Sequence, residues 1–313
     1  MMKRQISTPC VWCAFVLMSL VTLNGCSSTT GYKKPIGDFQ NASSIVTESA
    51  RIYVTQLNKT QRDAYIESQV SKARQIKLTE IERLQVFSPG AIEARLGALN
   101  KLSKYGELLL QLANSDAPEK ITSNAGDLAE SLKKLERNVN DLSANGDTGF
   151  KGALGPAALL IGEVARYAVE KKIQEALDKA ILGGEEPINN LIRVIRDDLE
   201  TAYELKRTAV TASRVIYVDG YEAERLKGRD VASLRRRGDE IKSVLDVWEV
   251  LPTSNPSEGL DAMAAAHSAL ADYAKSQKKS EDLTTFAAQM ETFVARAKRV
   301  GNAVLQLQQL NSN

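Results

Sequence analysis

The sequence predicts an all-α protein, an elongated antiparallel helical bundle with coiled-coil-like packing and at least one very long helix. Apolar residues recur at alternating spacings of three and four along most of the chain, as they do in amphipathic helices that pack side by side. No alternating apolar and polar run bounded by hairpin turns indicates a strand. The placement of proline supports the same fold class.

Prolines mark where the predicted helices begin. A proline in the first turn costs no hydrogen bond, because the first N–H groups of a helix have no partner within it. Five periodic segments begin in this way, at Pro89, Pro118, Pro156, Pro187 and Pro256. The chain therefore divides into N-terminal helices over 38–145, a glycine-rich loop over 146–155, and C-terminal helices over 156–313 that pack against the first set.

Two of these segments carry regular heptad stripes that predict core-facing surfaces. The first stripe follows Pro118 and comprises Ile121, Ala125, Leu128, Leu132, Leu135, Val139 and Leu142. The second lies near the C-terminus and comprises Leu283, Phe286, Met290, Phe293, Ala297, Val300, Val304 and Leu307. The opening stretch over 38–87 is also helical in character, with a break near Asn58 left open as the alternative.

The longest predicted helix begins at Pro187, after a helix end predicted at Gly183 and Gly184. If it continued to Val250 it would be about 95 Å long at 1.5 Å per residue. Glycine weakens a helix by roughly 1 kcal/mol relative to alanine, so a bend or break is the alternative. The glycines concerned are Gly220, Gly228 and Gly238.

The N-terminus has the composition of an export signal, predicted over 1–25. Lys3 and Arg4 precede an uncharged apolar run over 10–23, which is shorter than the ~20 residues that span a bilayer. The run ends in Leu23-Asn24-Gly25-Cys26, which resembles the lipobox of bacterial lipoproteins: an aliphatic residue, two small residues and the acylated cysteine.

The resemblance implies that Cys26 becomes the mature N-terminus and carries the lipid, whose chains contribute roughly 0.8 kcal/mol per buried methylene. In this class a residue other than aspartate after the cysteine directs the protein to the outer membrane, and here that residue is Ser27. The implied location is the periplasmic face of the outer membrane, with the inner membrane as the alternative. Residues 26–37 are predicted to be a flexible tether. An ordinary signal peptide that leaves Cys26 as a free thiol is the other interpretation.

The charge of the mature chain excludes some partners. Removing residues 1–25 leaves 39 basic and 39 acidic residues, so the formal net charge is zero. A balanced chain has no electrostatic preference for nucleic acid, and we expect none as a partner. Cys10 and Cys13 lie in the signal and Cys26 is the lipid acceptor, so no disulfide is expected.

Residues suited to catalysis or metal binding are scarce. His267 is the only histidine, and without further His or Cys ligands we predict no metal site and no cofactor. Glu200 and Glu204 share a helical face and are the one candidate acid/base pair, although a solvated surface is the favoured interpretation. We therefore expect no enzymatic activity.

Two further features have alternative interpretations. The basic run Arg235-Arg236-Arg237 could hold an acidic partner, but consecutive helical residues point about 100° apart, which favours a solvated stretch neutralised by Asp239. Trp248 is predicted to anchor the core because a tryptophan buries a large area, with an exposed binding residue as the alternative.

An uncharged apolar segment lies in the middle of the chain, within residues 149–162. Its candidate membrane-contacting side chains are Leu154, Leu159, Leu160 and Ile161. Core packing is the favoured interpretation, since apolar residues are normally buried. The alternative is a membrane-perturbing protein that inserts this segment into lipid.

These observations together predict a lipid-anchored periplasmic protein that binds or spaces other components of the cell envelope without catalysis. Its expected partners are the membrane, through the N-terminal lipid, and a protein of the envelope. The sequence does not indicate which protein.

Overall fold

The computed structural model describes residues 30–114, 116–143, 152, 154–170, 173–228 and 230–310. Within these ranges the chain is helical and has no strand, which confirms the all-α prediction. The helices are α1 (Thr30–Ser71), α2 (Leu78–Arg83), α3 (Pro89–Asn114), α4 (Pro118–Ser143), α5 (Leu154–Val169), α6 (Ile173–Leu226), α7 (Val231–Val250), α8 (Pro256–Lys275) and α9 (Ser280–Leu310). A 3₁₀ turn, Leu251–Thr253, joins α7 to α8. Cys26 and Ser27 lie outside the described residues.

Two long helices organise the bundle. α1 has 42 residues and α6 has 54 residues, which at 1.5 Å per residue makes them about 63 Å and 81 Å long. α3 and α8 pack antiparallel to both, while α9 runs parallel to α1 and packs on α1 and α8. α4 packs on α3 and α5, and α5 packs on α6. The predicted helical bundle with a very long helix is therefore present.

Both predicted heptad stripes face the core. On α4 every stripe residue from Ile121 to Val139 is buried, and the side chain of Leu142 lies outside the described set. On α9 the stripe from Phe286 to Leu307 is buried, with Leu283 partly buried at its start. Because a buried aliphatic side chain contributes about 1.5–3 kcal/mol, these stripes supply much of the energy that holds the bundle together.

The helices form a well-packed body and a thinly packed arm. We define the arm as residues 58–88 together with the described residues of 204–243, and the body as the remaining helices. Among the described arm residues, Lys206 is the only one that is buried. α6 runs through both parts, and α7 folds back along its outer half.

The connection around α2 is held to α1 by side-chain hydrogen bonds, including one from the Lys77 N–H to the Tyr65 hydroxyl at 3.2 Å. The Asn58 amide donates to the carbonyl oxygen of Phe87 at 2.7 Å and accepts from the backbone N–H of Val86 at 3.0 Å. The break near Asn58 that the sequence left open does not occur. α1 continues to Ser71, and the chain turns at Ala73, whose φ is +49°.

The predicted tether over 26–37 is wrong from Thr30 onward. Tyr32, Ile36 and Phe39 are fully buried, and their spacings of four and three extend the apolar face of α1. Pro35 lies inside the helix, close enough to its start that few backbone hydrogen bonds are lost. The core therefore begins much closer to Cys26 than the sequence predicted.

The predicted helix end at Gly183 and Gly184 is also wrong, because α6 begins at Ile173 and continues through both glycines and Pro187. These glycines permit close packing instead. A Cβ atom at Gly183 would lie 2.5 Å from a methyl carbon of Leu160, and one at Gly184 would lie 2.7 Å from the Tyr105 hydroxyl oxygen. α3 and α5 can therefore approach the backbone of α6 closely. The burial of apolar side chains against these two helices offsets the backbone hydrogen bond that Pro187 cannot make.

The long helix does not continue to Val250. It ends at Leu226, Gly228 adopts a φ of +66°, and the Asp230 side chain caps α7 by accepting from the Ser233 N–H at 2.8 Å. Glycine adopts a positive φ without strain, and a capped helix start follows directly. The break at Gly228 is the alternative that the sequence had left open, and it produces a hairpin of α6 and α7.

Substitution of two helical glycines should separate close packing from helix propensity. Gly184→Ala should lower the free energy of unfolding by about 1–2 kcal/mol, because its Cβ displaces the Tyr105 hydroxyl. Gly162→Ala on α5 is the matched control: no atom lies within 4 Å of its Cβ, so alanine should raise that free energy by up to about 1 kcal/mol. Urea denaturation measures both, and equal effects would contradict the packing role of Gly184.

Candidate functional site

The single histidine lies in the body where α3, α6 and α8 meet, and it is completely buried. Its Nε2 lies 2.8 Å from the Tyr105 hydroxyl oxygen, and its Nδ1 lies 3.2 Å from the side-chain oxygen of Asn189. The Tyr105 hydroxyl lies 3.0 Å from the carbonyl oxygen of Ala180, to which it can donate. We call the group formed by His267, Tyr105, Asn189 and the Ala180 carbonyl the polar pin. Its members satisfy one another's hydrogen bonds away from water.

Burial keeps His267 neutral, because desolvation lowers its pKa to about 4. A neutral imidazole offers one donor and one acceptor nitrogen. When Tyr105 donates its one hydroxyl proton to Ala180, Nε2 of His267 donates to the Tyr105 oxygen. Nδ1 then accepts from the Asn189 amide in the orientation that presents its NH₂ group. Tyr105 is also fully buried, so neither ring is open to a substrate. The polar pin therefore joins three helices and provides no reactive group.

The two candidate acid/base glutamates have separate partners. Glu200 accepts hydrogen bonds from the Ser257 hydroxyl and, at 3.2 Å, from the Asn255 amide at the start of α8. The hydrogen bond from Ser257 lowers the pKa of Glu200. Glu204 pairs with Arg207 at 2.6 Å. Glu200 thus ties α6 to α8, and Glu204 belongs to an exposed ion pair within one helix.

The arginine run and Trp248 lie on α7. Arg235 and Arg236 are exposed, whereas Arg237 is half-buried and pairs with Glu240 at 2.8 Å. Asp239 pairs with Lys242, and the predicted neutralisation by Asp239 therefore applies to another residue.

Trp248 is half-buried, and the Arg214 guanidinium lies 4.2 Å from its ring centroid. A cation over an aromatic face stabilises the contact by about 0.5–2 kcal/mol. This pair ties α7 to α6 at the base of the arm.

The apolar segment is divided between core and surface. Leu154, Leu160 and Ile161 are buried, whereas Leu159 is 68% exposed. The buried residues pack in the main core with the neighbouring helices. Insertion into lipid would require three of the four candidate side chains to leave this core. Residues 149–151 and Ala153 lie outside the described set.

A cleft of about 490 Å³ lies where the arm leaves the body, between α1, α6, α7 and the last turn of α9. One part of its lining is aliphatic: Ala64, Ala209, Val210, Val244, Val247 and Leu310. The polar part includes Gln56, Lys59, Thr60, Asp63, Glu67 and Lys206. A cleft of this size with an amphipathic lining falls within the range of small-molecule sites.

Lys206 is the unusual member of the cleft. Its side chain is only 7% exposed, and desolvation, aided by the nearby Lys59, lowers its pKa to about 8. Within the described part of the chain, the group recorded against its ammonium is the Tyr53 ring, with 5.1 Å between the nitrogen and the ring centroid. Lys59 differs because it pairs with Asp63 at 2.8 Å. Lys206 is therefore a buried cation without an anionic partner among the described residues.

The position of Lys206 in an apolar stripe of α6 is a sequence feature that indicates its burial. Leu199, Ala202 and Lys206 follow one another at spacings of three and four, and all three are buried. A lysine that continues a buried stripe is an exception to the rule that charged side chains face solvent. The apolar neighbour Leu205, one position earlier, is only partly buried.

In the described ranges, no three histidine, cysteine or acidic residues come together as a metal site requires. The described helices include none that is both long and apolar enough to cross a membrane. Comparison of the chain with protein-family models, curated proteins and solved structures found no match.

Lys206→Met should raise the free energy of unfolding at pH 7 by about 2 kcal/mol, because wild type buries a charge. Below pH 8, Lys206 is protonated in both the folded and the unfolded chain, so folding must bury a charged ammonium and wild type is destabilised by the full cost of that burial. Between about 8 and 10.5 the folded chain loses a proton that the unfolded chain keeps, so wild-type stability rises with pH relative to the variant.

Urea denaturation of both proteins at pH 7 and at about pH 9.5 measures this difference. The advantage of Lys206→Met should shrink at the higher pH. Groups that titrate equally in both proteins cancel in the comparison. An advantage that is the same at both pH values would contradict the desolvation of Lys206.

Proposed function

We propose that the protein is a lipid-anchored, non-catalytic helical bundle that binds or spaces components of the bacterial cell envelope. In this proposal Cys26 carries the lipid, Ser27 directs the chain to the outer membrane, and the bundle faces the periplasm. The arm is the surface that binds an envelope protein.

The distribution of exposed apolar side chains carries the proposal. Thirteen large apolar side chains are exposed among the described residues, and eight of them belong to the arm. These eight are Val70, Ile76, Leu78, Leu84, Val215, Val218, Leu226 and Val231. Clustered apolar side chains in contact with water are a property of protein interaction surfaces.

Part of this surface follows one face of α6. Val215, Val218 and Leu226 lie three and eight residues apart, which places them within about 80° of each other around the helix at 100° per residue. Their exposed fractions are 58%, 47% and 76%. Such a stripe fits the apolar face of a partner helix, a common mode of protein recognition.

The position of the arm is consistent with an anchored binding module. α1 begins at Thr30, four residues after Cys26, and enters the arm at its opposite end. A helix of this length separates the two ends by about 60 Å. A lipid at Cys26 and a partner on the arm would therefore occupy opposite ends of the same helix.

Acylation is tested by growing cells with radiolabelled palmitate. The wild-type protein should incorporate the label and Cys26→Ser should not, because the acceptor thiol is lost. Cys10→Ser and Cys13→Ser are matched controls, since they change cysteines of the apolar run and should leave labelling intact. Label retained by Cys26→Ser would show that the lipobox assignment is wrong.

Binding by the arm is tested by photo-cross-linking in intact cells. A photoreactive amino acid at Leu78 or Val231 of the arm should give a discrete cross-linked product of higher mass. Leu159 of the body is the matched control, since its exposed fraction of 68% nearly equals the 69% of Leu78. Exposure alone therefore cannot explain a difference.

Two results would contradict binding by the arm. One is equal cross-linking from Leu78 and Leu159, which would indicate random encounter. The other is cross-linking from Leu159 without any from Leu78 or Val231, which would place the interaction surface on the body.

A further inference from the structure

We propose that the cleft between α1, α6 and α7 binds a small monovalent carboxylate with an aliphatic body, whose carboxylate pairs with the Lys206 ammonium. The cleft lies at the base of the arm and is distinct from the exposed apolar side chains that extend toward its tip. This inference concerns a small ligand and depends neither on the lipid anchor nor on a protein partner.

The need for an anion follows from the surroundings of Lys206. Lys206 is 7% exposed, and the Tyr53 ring compensates its charge only in part. The distance of 5.1 Å from the ammonium nitrogen to the ring centroid is near the limit for a cation–π contact. Burying a charge without an opposite charge is costly. A bound carboxylate would provide the missing charge and a charge-assisted hydrogen bond.

The charge of the ligand follows from the other ionic groups of the cleft. Lys59 is already paired with Asp63, so Lys206 is the one cleft cation that the described residues leave for a ligand. A single ammonium balances a single negative charge. A phosphate would bring nearly two charges, and the cleft lining offers no arginine to receive its oxygens. The site therefore favours a carboxylate over a phosphate.

The acidic side of the cleft gives the ligand a direction. Gln56 and Glu67 both line the cleft from α1. Glu67 lies eleven residues further along the helix, about 16 Å from Gln56 along the helix axis. Desolvation and the nearby Glu240 raise the pKa of Glu67, while Arg237, which pairs with Glu240, opposes the shift. The Glu67 carboxylate would repel a second negative charge of the ligand at that end. The carboxylate therefore belongs at the Lys206 end, and the other end of the ligand is uncharged.

The aliphatic body follows from the walls between those two ends. The cleft is lined by Ala209 and Val210 of α6, Val244 and Val247 of α7, Ala64 of α1 and Leu310 of α9. Apolar contact with such walls stabilises a ligand by about 25 cal/mol per Å² buried. A short fatty acid has this combination of a charged head and an aliphatic chain.

Octanoate is the probe that tests this site. Equilibrium dialysis of radiolabelled octanoate against the full-length protein in a non-ionic detergent should show one saturable site. Lys206→Met should weaken binding at least about tenfold, because a charge-assisted hydrogen bond is lost. Lys133→Met is the matched control, since Lys133 is exposed on α4, and it should change affinity less than about twofold.

Competition in the wild-type protein tests the same inference without any variant. Octanamide has the same chain without the charge, so displacing octanoate should take at least about tenfold more octanamide than unlabelled octanoate. Inorganic phosphate should not displace it either. The proposal would be overturned if octanamide displaced octanoate as effectively as unlabelled octanoate does, or if phosphate displaced it. The absence of a saturable site, or equal binding to Lys206→Met and wild type, would overturn it as well.

Discussion

The close approach of α3 to α6 is the constraint on which the rest of the body depends. Gly184 removes a side chain from α6, which allows Tyr105 to reach the Ala180 carbonyl and His267. This contact fixes the positions of α3, α6 and α8 relative to one another. The buried stripes of the other helices then pack around that arrangement.

The body and the arm differ in how they are stabilised. In the body, aliphatic and aromatic side chains fill the space between helices, for example where Phe39 packs against Phe293 at a centroid distance of 5.7 Å. In the arm, the ion pairs Arg207–Glu204 and Arg225–Glu222 each join residues of the same helix and are exposed. Exposed pairs contribute at most about 1 kcal/mol each. The arm is therefore expected to open locally at a lower free energy than the body.

The sequence predicted those parts of the fold that depend on periodicity alone. The fold class, the α4 and α9 stripes, and the helix starts at Pro89, Pro118 and Pro256 all follow from local spacing. The helix boundary predicted at Gly183, Gly184 and Pro187 was wrong because the effect of these residues depends on which helices pack against them. Tertiary contacts can override local helix signals when the burial they create is large enough.

The candidate site was less predictable for the same reason. Glu200, His267 and Trp248 were recognisable by residue type, but their partners come from other helices and are not apparent in the sequence. The one sequence feature that distinguishes Lys206 is that it is a charged residue that continues a buried apolar stripe. Its distance from Tyr53 and its place in the cleft depend on how α1 and α6 align, which spacing along one helix does not determine.

The neutral state of His267 also determines how the protein responds to the acidity of its surroundings. Histidine is the side chain that normally takes up a proton between pH 5 and 8, and this chain has only one. Because that residue stays uncharged until about pH 4, mild acidification adds no charge inside the body. The polar pin should therefore keep the same hydrogen bonds between about pH 5 and 8, the range in which an ordinary histidine would become charged.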